Sequence, residues 1–278
     1  MQGDFLIVTS YGTTFAPFIN AAAFLVCLGT AVYRANIEKL DPADMYWAGV
    51  LGACGAMIGG HLVYGALTTL GAAFHVWDPF DLLDGGKSVL GAFGGAALFG
   101  SVYLHVRRRN ALAYGAAAMP AVALGYSLAR IGCFFNGDDF GTLSQLPWAV
   151  QFPAGTQAFV VHWQMGLLEA GASVSLPVHP VQLYHSALGI GLYLLLRRTT
   201  ALPAIRIAWA LTGYGLGRFW LQFFRNDHDL WFVALDVTQW LCLGLFAAGL
   251  AVWYFAQQER TQRERIYPIG SNIEGLRF

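Results

Sequence analysis

Four basic residues of this 278-residue chain, Lys87, Arg130, Arg218 and Arg225, stand apart from the other twelve and lie within or beside long apolar segments. Ionisable groups inside apolar membrane segments are costly, and they usually face a cavity or a partner. The planar fork of a guanidinium group matches the oxygens of a phosphate. We therefore predict that Arg130 and Arg218 bind an anion, for which a lipid phosphate is the obvious candidate. Lys87 is expected to reach the lipid headgroups from a helix end.

The spacing of the polar residues adds two further expectations. Arg218 and Arg225 are seven residues apart, which would place them on one face of a continuous helix. Gln182 and His185 are three residues apart and are therefore neighbours on a helix surface. Each histidine fits two interpretations, a hydrogen-bonded core residue or a group that transfers a proton. Other polar residues at the same predicted depth are Tyr11, His61, Tyr64, Asn136, Asp138, Asp139 and His179.

The composition is that of an integral membrane protein. Hydrophobic residues make up 56% of the chain and charged residues only 12%, about half the charged share of a typical soluble domain. The formal net charge is zero, so nothing in the charge favours a nucleic-acid partner. The four cysteines do not have zinc-type spacing, so neither a metal site nor a disulfide framework is expected. The first ten residues lack the basic region of a cleaved signal peptide.

Apolar runs of about 20 residues predict an all-α integral membrane protein with seven transmembrane helices. The runs are 13–33, 45–70, 87–106, 111–131, 179–196, 204–225 and 231–256. The one long connection, 136–178, lies between the fourth and fifth helices, and alternation over Trp148–Phe152 predicts a short strand there. We thus expect a membrane domain over residues 1–256, with a small periplasmic head at 136–178, and a partly disordered cytoplasmic tail at 257–278.

The distribution of basic residues predicts the orientation of these helices. All but four of the 16 Lys and Arg residues follow the first, third, fifth or seventh run or lie in the tail. Because basic residues accumulate in cytoplasmic loops, the N-terminus is predicted outside and the C-terminus inside. The four exceptions then share a depth near the outer leaflet.

Five different short motifs lie toward the predicted outer ends of these runs. They are Arg130-Ile131-Gly132, Phe134, Asn136-Gly137 and Gly141; His179-Pro180-x-Gln182-Leu183-Tyr184; Gly215-x-x-Arg218-Phe219 with Arg225; Gly59-Gly60-His61-x-x-Tyr64; and Gly85-Gly86-Lys87-Ser88. In order, spacing and residue type, this set resembles the motifs of the prolipoprotein diacylglyceryl transferase family. The resemblance extends from Tyr11-Gly12 to the end of the sixth predicted helix.

The resemblance implies an activity and its partners. Members of that family transfer the diacylglyceryl group of phosphatidylglycerol to the lipobox cysteine of a prolipoprotein, forming a thioether and releasing glycerol phosphate. It also implies a multi-pass protein of the bacterial inner (plasma) membrane. The partners would be phosphatidylglycerol, the prolipoprotein signal peptide with its lipobox, and membrane lipids, with no metal or organic cofactor.

Carried over residue by residue, the resemblance implies a site as well. Catalytic roles fall on Arg130, Arg218, His61 and Asp138. Substrate-binding roles fall on Tyr11, Tyr64, Ser88, Asn136, Gly141, His179, Gln182, Tyr184, Gln222 and Arg225. In this chemistry, guanidinium groups held in place stabilise the negative charge that builds on the departing phosphate.

Four positions depart from the family's motifs. Leu90 stands where the third-helix motif has the His that is the usual candidate base, and Cys133 stands in place of an Asn. Asp138 replaces a Glu, and Gln222 replaces the Glu that follows the sixth-helix arginine. A general base typically contributes about 10²–10⁴-fold to a rate. Three interpretations therefore stay open: a working transferase that passes its proton to His61, Asp138 or water; a family member with another acceptor or lipid; or a phospholipid- or lipoprotein-binding protein without turnover.

Two other classes of membrane protein fit the sequence less well. A seven-helix retinal protein needs a lysine in its last span, and the run 231–256 has none. A transporter predicts polar groups in both halves of the bundle, because intramembrane charge marks its path. Here the ionisable residues of the spans concentrate in the outer half, which favours a one-sided pocket.

Overall fold

The computed structural model describes residues 6–8, 12–69, 88–199, 202–226 and 233–266. Within these ranges the chain forms eight helices and one pair of short strands. In chain order they are β1 (Leu6–Ile7), α1 (Gly12–Ile37), α2 (Pro42–Thr69), α3 (Val89–Val106), α4 (Ala111–Asn136), β2 (Val150–Gln151), α5 (Gln157–Gln164), α6 (Val181–Arg198), α7 (Pro203–Gln222) and α8 (Val237–Ile266).

Four of the described helices are long and apolar enough to cross a membrane. The segments with this property are Thr14–Ile37, Pro42–Ala66, Ala111–Asn136 and Val237–Thr261, and α3 contains a shorter apolar segment. Many of their large apolar side chains are exposed, as a lipid-facing surface requires. The prediction of an all-α integral membrane protein is confirmed at this level.

The chain divides into two compact units, of which one is the continuous segment Ala22–Gly125. Its helices α2 and α3 contact each other through glycines. A Cβ atom added at Gly95 would overlap the carbonyl oxygen of Gly55, and one added at Gly91 would overlap that of Gly59. These helices therefore pack backbone against backbone, which small residues permit in membranes.

A buried carboxylate fastens one end of α2 in the same unit. Asp44 is 1% exposed, and it accepts hydrogen bonds from the Tyr103 hydroxyl at 3.1 Å and from Nε of Arg107 at 3.0 Å. Nε of Arg109 donates to the second oxygen of Asp44 at 2.5 Å. Since a buried charge is tolerated only when it is paired, this cluster ties the start of α2 to the end of α3.

The second unit combines Met1–Ala21 with Tyr126–Phe278. Strand β1 pairs in parallel with β2, Leu6 opposite Val150 and Ile7 opposite Gln151. Beneath this pairing lies an apolar cluster whose buried members are Val8, Phe134, Phe140, Val150, Phe152, Ala158 and Val178. The strand predicted over 148–152 is thus present as β2. Its partner β1 was not predicted, because its two residues carry no sequence signal.

Several helix ends differ from their predicted positions, and those of α4 and α7 bear on the site. Helix α4 continues to Asn136, so Arg130 lies inside a helix rather than at its end. Helix α7 ends at Gln222, and Arg225 follows in a turn. The prediction that Arg218 and Arg225 share one helix face was therefore wrong. Helix α8 extends past residue 256 to Ile266, into the segment expected to be a partly disordered tail, because Gln, Glu and Arg are good helix formers.

Candidate active site

The segment after α4 is held between the start of α6 and the turn after α7. The Gly141 amide donates to the carbonyl of His179 at 3.2 Å, and the Thr142 amide donates to that of Phe224 at 2.8 Å. A Cβ atom at Gly141 would lie 2.6 Å from the His179 oxygen, so only glycine fits. Three motifs far apart in sequence are thereby joined through their backbones.

Asp139 joins two arginines within this frame. Its carboxylate accepts a hydrogen bond from Arg130 at 2.5 Å and another from Arg225 at 2.7 Å. Burial pushes the pKa of Asp139 upward, but the charges of Arg225 and Arg130 outweigh it and hold that pKa well below its usual range. One carboxylate against two guanidinium groups leaves a positive charge in excess.

Asp139 adopts a backbone conformation that few residues accept. Its φ angle is +54°, in the left-handed region that Asp and Asn enter more readily than most side chains. Its amide donates to the side-chain oxygen of Gln157 at 3.2 Å. This turn directs the carboxylate back toward α4.

Arg218 is bonded to an amide. Its guanidinium donates to Gln222, one turn further along α7, and Gln222 donates in turn to the carboxylate of Asp236 at 2.5 Å. Gln222 and Asp236 are both buried, whereas Arg218 is half-buried. A neutral amide therefore separates Arg218 from the carboxylate of Asp236.

Two tyrosines and a histidine lie among the three guanidinium groups. The guanidinium carbon of Arg130 is 5.2 Å from the ring centre of Tyr126, whose hydroxyl is 3.0 Å from Nδ1 of His185. His185 lies within electrostatic range of Arg218, Arg130 and Arg225 together. Tyr214 contacts Tyr126 edge to face, with ring centres 5.5 Å apart. His185 is 1% exposed, and its Nε2 atom makes no hydrogen bond within the described chain.

Asp138 stands in a different environment from Asp139. Burial, together with the neighbouring charge of Asp139, raises the pKa of the Asp138 carboxyl above its ordinary value. The Asn136 amide donates to one of its oxygens at 3.0 Å, and the other oxygen is buried with no hydrogen bond among the described residues. Gln182, fully buried on α6, donates to the Asp138 carbonyl at 2.6 Å and so holds the turn. Asp138 therefore combines a raised pKa with an unbonded oxygen.

Within the described ranges, one group of side chains at the end of α4 and in the following turn has the spacing of a metal-ligand set. The thiol of Cys133 and carboxylate oxygens of Asp138 and Asp139 lie within 4.8 Å of one another. Both oxygens of Asp139 are already bonded to guanidinium groups, so the cluster has the character of an ion-pair network.

An aromatic group surrounds the start of α6. The Trp148 indole donates to the Tyr184 hydroxyl at 2.7 Å, and that hydroxyl is 3.2 Å from Nδ1 of His179. The rings of His179 and Phe224 also contact, at 5.2 Å between centres. His179 thus has a hydrogen-bonding partner and aromatic neighbours of its own.

Three of the remaining predicted site residues belong to the other unit. His61, Tyr64 and Ser88 belong to the continuous unit. His61 is buried on α2 and Tyr64 is half-buried, while Ser88 caps α3 by accepting from the Gly91 amide at 3.4 Å. Tyr11 lies outside the described residues.

Sequence reasoning missed the roles of four residues in this site. Asp139, Tyr126, Tyr214 and Asp236 each contact a predicted residue or its partner. Two signals were available: an acid nine residues after Arg130, and the pattern Asp236-Val-Thr-Gln239, which is typical of a helix start. The tyrosines carry no such signal, because aromatic residues are common throughout membrane helices.

Comparison with known proteins identifies the family. Residues 5–255 match the family model described as prolipoprotein diacylglyceryl transferase. Proteins named phosphatidylglycerol–prolipoprotein diacylglyceryl transferase from Burkholderia cenocepacia (strain HI2424) and Burkholderia ambifaria (strain MC40-6) are each 33% identical over 241 residues, covering 79% of this chain and 80% of the relative. The protein of that name from Burkholderia multivorans (strain ATCC 17616 / 249) is 32% identical, with the same coverage. This chain belongs to the prolipoprotein diacylglyceryl transferase family.

Proposed function

We propose that this protein is a membrane enzyme that transfers the diacylglyceryl group of phosphatidylglycerol to the lipobox cysteine of prolipoproteins. The new bond is a thioether, and the reaction is a step of lipoprotein maturation. Family membership supports the reaction. The arrangement of arginines in the second unit supports that unit as the location of the site.

One observation carries the proposal: Arg130 on α4 and Arg225 after α7 meet at one carboxylate, and both lie, with Arg218 on α7, within electrostatic range of His185. Arg130 and Arg225 share the single carboxylate of Asp139, and Arg218 bonds to an amide. Such a group has excess positive charge in a partly buried setting, where electrostatic attraction to an anion is strong. A phospholipid phosphate has the charge and the oxygen geometry to occupy it.

The chemistry follows from this arrangement. The acceptor thiolate attacks a glycerol carbon of the lipid, so a sulfur–carbon bond forms while the bond from that carbon to the phosphate oxygen breaks. The electron pair leaves with glycerol phosphate, and Arg130 and Arg218 stabilise the growing charge on its oxygens. The thiol's proton must pass to a base, since the thiolate is the nucleophile.

We assign that base to Asp138, with His61 as the second candidate. The raised pKa of Asp138 makes it a better proton acceptor than an ordinary carboxylate, and one of its oxygens has no hydrogen-bond partner within the described residues. Both features are present although Leu90 replaces the family's third-helix histidine.

The remaining predicted residues are assigned to substrate binding. His179 and Tyr184 present a polar edge beside Phe224, suited to a headgroup or a peptide backbone. Gly141, Gln182 and Asn136 hold the turn that contains both aspartates. Arg225 and Gln222 act through the arginine network, and Tyr11, Tyr64 and Ser88 complete the set implied by the family motifs.

We further propose the membrane arrangement predicted from the sequence. Helices α1–α4 and α6–α8 would form seven spans of a multi-pass protein of the bacterial inner membrane, with the N-terminus outside. Residues 136–178, which contain β2 and α5, would form the periplasmic head, residues 1–256 the transferase domain and residues 257–278 the cytoplasmic tail. The excess of basic residues on one predicted side supports this orientation.

Complementation tests the activity. Cells depleted of their own transferase would express this chain, its Arg130→Ala variant or its Arg197→Ala variant, a control at the far end of α6. We expect lipoprotein maturation with the parent and the control but not with Arg130→Ala, at equal amounts of membrane-inserted protein. Purified protein with phosphatidylglycerol and a lipobox peptide should add a diacylglyceryl mass to the peptide and release glycerol phosphate.

The same assays separate the alternatives. Normal maturation with Arg130→Ala would contradict the phosphate role. Binding of phosphatidylglycerol without release of glycerol phosphate would identify a phospholipid-binding member of the family. Turnover of the lipid without modification of a lipobox peptide would point to another acceptor.

A further inference from the structure

The side-chain amide of Gln222 is bonded at both ends. Its oxygen accepts from Arg218, and its nitrogen donates to Asp236 at 2.5 Å. Because a guanidinium group can only donate and an ionised carboxylate can only accept, this is the one orientation of the amide that satisfies both partners. Gln222 is 2% exposed, so water does not compete readily for either end.

Asp236 is itself fixed by the start of α8. Its second oxygen accepts a hydrogen bond from the backbone N–H of Gln239 at 2.6 Å. The backbone N–H of Asp236 donates to the side-chain oxygen of Gln239 at 3.1 Å. This reciprocal pair is a capping box, and the helix dipole favours a carboxylate at that position. Asp236 therefore gives Gln222 a rigid attachment point.

A glutamine at position 222 suits a neighbouring carboxylate better than a glutamate would. A glutamate at 222 would bring a second carboxylate to within hydrogen-bond distance of Asp236, and would pair directly with Arg218. Gln222 instead links the two residues, because it donates a hydrogen bond to the fixed carboxylate of Asp236 and accepts one from Arg218. The guanidinium is thereby held in place.

We propose that Asp236 is a positioning residue for Arg218. Acting through Gln222, Asp236 orients the Arg218 guanidinium toward the phosphate of the lipid substrate. The role deepens the proposed transferase function and rests on it.

The first test is Asp236→Asn. Asparagine caps a helix as well as aspartate does, so the start of α8 is preserved. The side-chain nitrogen of the new asparagine would face the side-chain nitrogen of Gln222, so two donors would oppose each other. Rotating the Gln222 amide by half a turn would relieve that contact, but it would place the Gln222 nitrogen against the Arg218 guanidinium, which is also a donor. We expect kcat/KM for phosphatidylglycerol to fall about 10–100-fold, as misplaced catalytic groups do. The matched control is Asp41→Asn, the same change at the start of α2, where the carboxylate accepts from the Ala43 amide.

The decisive test is the exchange variant that combines Gln222→Glu with Asp236→Asn. Gln222→Glu alone sets two carboxylates against each other and should also lower activity. In the combination, the new amide donates to the new carboxylate, whose other oxygen accepts from Arg218, so every hydrogen bond is restored. We expect the double variant to recover most of the activity that either single change loses. A double variant that loses as much as the two single changes combined would overturn the inference.

A binding measurement separates this inference from the proposed function. Dioctanoyl phosphatidylglycerol should raise the melting temperature of the purified parent more than dioctanoylglycerol, which lacks the phosphate. That difference should shrink in Asp236→Asn and return in the double variant. If Asp236→Asn matches the parent in binding and transfer, the positioning role is wrong while the transferase function stands. If the parent neither transfers nor binds the phosphate-containing lipid, the proposed function fails and the inference with it.

Discussion

At the scale of single residues, Asp139 and Asp138 show how two adjacent carboxylates acquire different properties. Asp139 bonds two guanidinium groups and is held ionised, whereas Asp138 lies beside that negative charge and is partly desolvated. Such a divergence of pKa values is typical of sites that separate charge stabilisation from proton transfer. We therefore assign a stabilising role to Asp139 and the role of proton acceptor to Asp138.

Replacing Asp139 with Asn should destabilise the protein by about 1–3 kcal/mol near neutral pH, because Arg130 and Arg225 lose the acceptor that they share. Asn accepts the left-handed backbone, so the effect is mainly one of charge. Since the pKa of Asp139 is depressed in the folded state, its contribution is present above the unfolded value of about 3.9 and is lost as the pH falls through the folded value. Thermal unfolding of both proteins should show their difference vanish toward low pH. A pH-independent difference would contradict the charge argument, and the exposed Glu169→Gln is the control.

Replacing Asp138 with Asn should lower kcat by about 10²–10⁴-fold if Asp138 is the base, with a smaller effect on KM for phosphatidylglycerol. The parent's kcat should rise with pH through the raised pKa of Asp138, because only the ionised carboxylate accepts a proton. Comparison with His61→Gln decides between the two candidates. A full loss of kcat in His61→Gln with a normal Asp138→Asn would move the role to His61.

At the scale of elements, the sequence predicted which residues are helical better than where the helices end. Arg130 and Arg218 were singled out because charge in an apolar run is conspicuous, and the motif at α6 was singled out by the spacing of its polar residues and by its resemblance to a family motif. The end of α7 at Gln222 was missed because Phe223 and Phe224 continue the apolar pattern, although backbone bonds to the 140–143 segment draw the chain into a turn. Strand β1 and its pairing with β2 were missed because a two-residue strand depends on its partner and has no period of its own.

The glycine contact between α2 and α3 gives a prediction at this scale. Gly95→Ala should weaken the packing of these helices and lower the melting temperature, because the new methyl group would meet the Gly55 carbonyl. Gly94→Ala is a matched control, since a Cβ atom there meets nothing within 4 Å. Equal melting temperatures for the two variants would show that the helices can separate without cost.

At the scale of the whole molecule, composition was enough to predict an all-α membrane protein, while the division into two units was not foreseen. Nothing in the apolar runs distinguishes Ala22–Gly125 from the remainder, because both units use helices of similar hydropathy. The division depends on which helix faces contact, and a sequence read as isolated spans does not contain that information.

The proposed orientation is tested by cysteine accessibility. A cysteine at the exposed Glu169 should react with a membrane-impermeant thiol reagent in intact cells, and one at the exposed Arg198 should react only after the membrane is opened. The parent, with cysteines at 27, 54, 133 and 242, provides the background signal. Equal labelling of both positions in intact cells would refute the proposed topology.

The parallel pairing of β1 with β2 has a consequence for biosynthesis. A ribosome releases Leu6 and Ile7 early, but their partners Val150 and Gln151 emerge only after the entire continuous unit has been made. The first strand must therefore wait, unpaired, while a later-completed neighbour is translated, and such distant contacts form slowly. Nascent chains arrested once Gly125 has left the exit tunnel should already protect Ala22–Gly125 from protease, whereas the arginine network can be completed only after its last member, Asp236, has emerged.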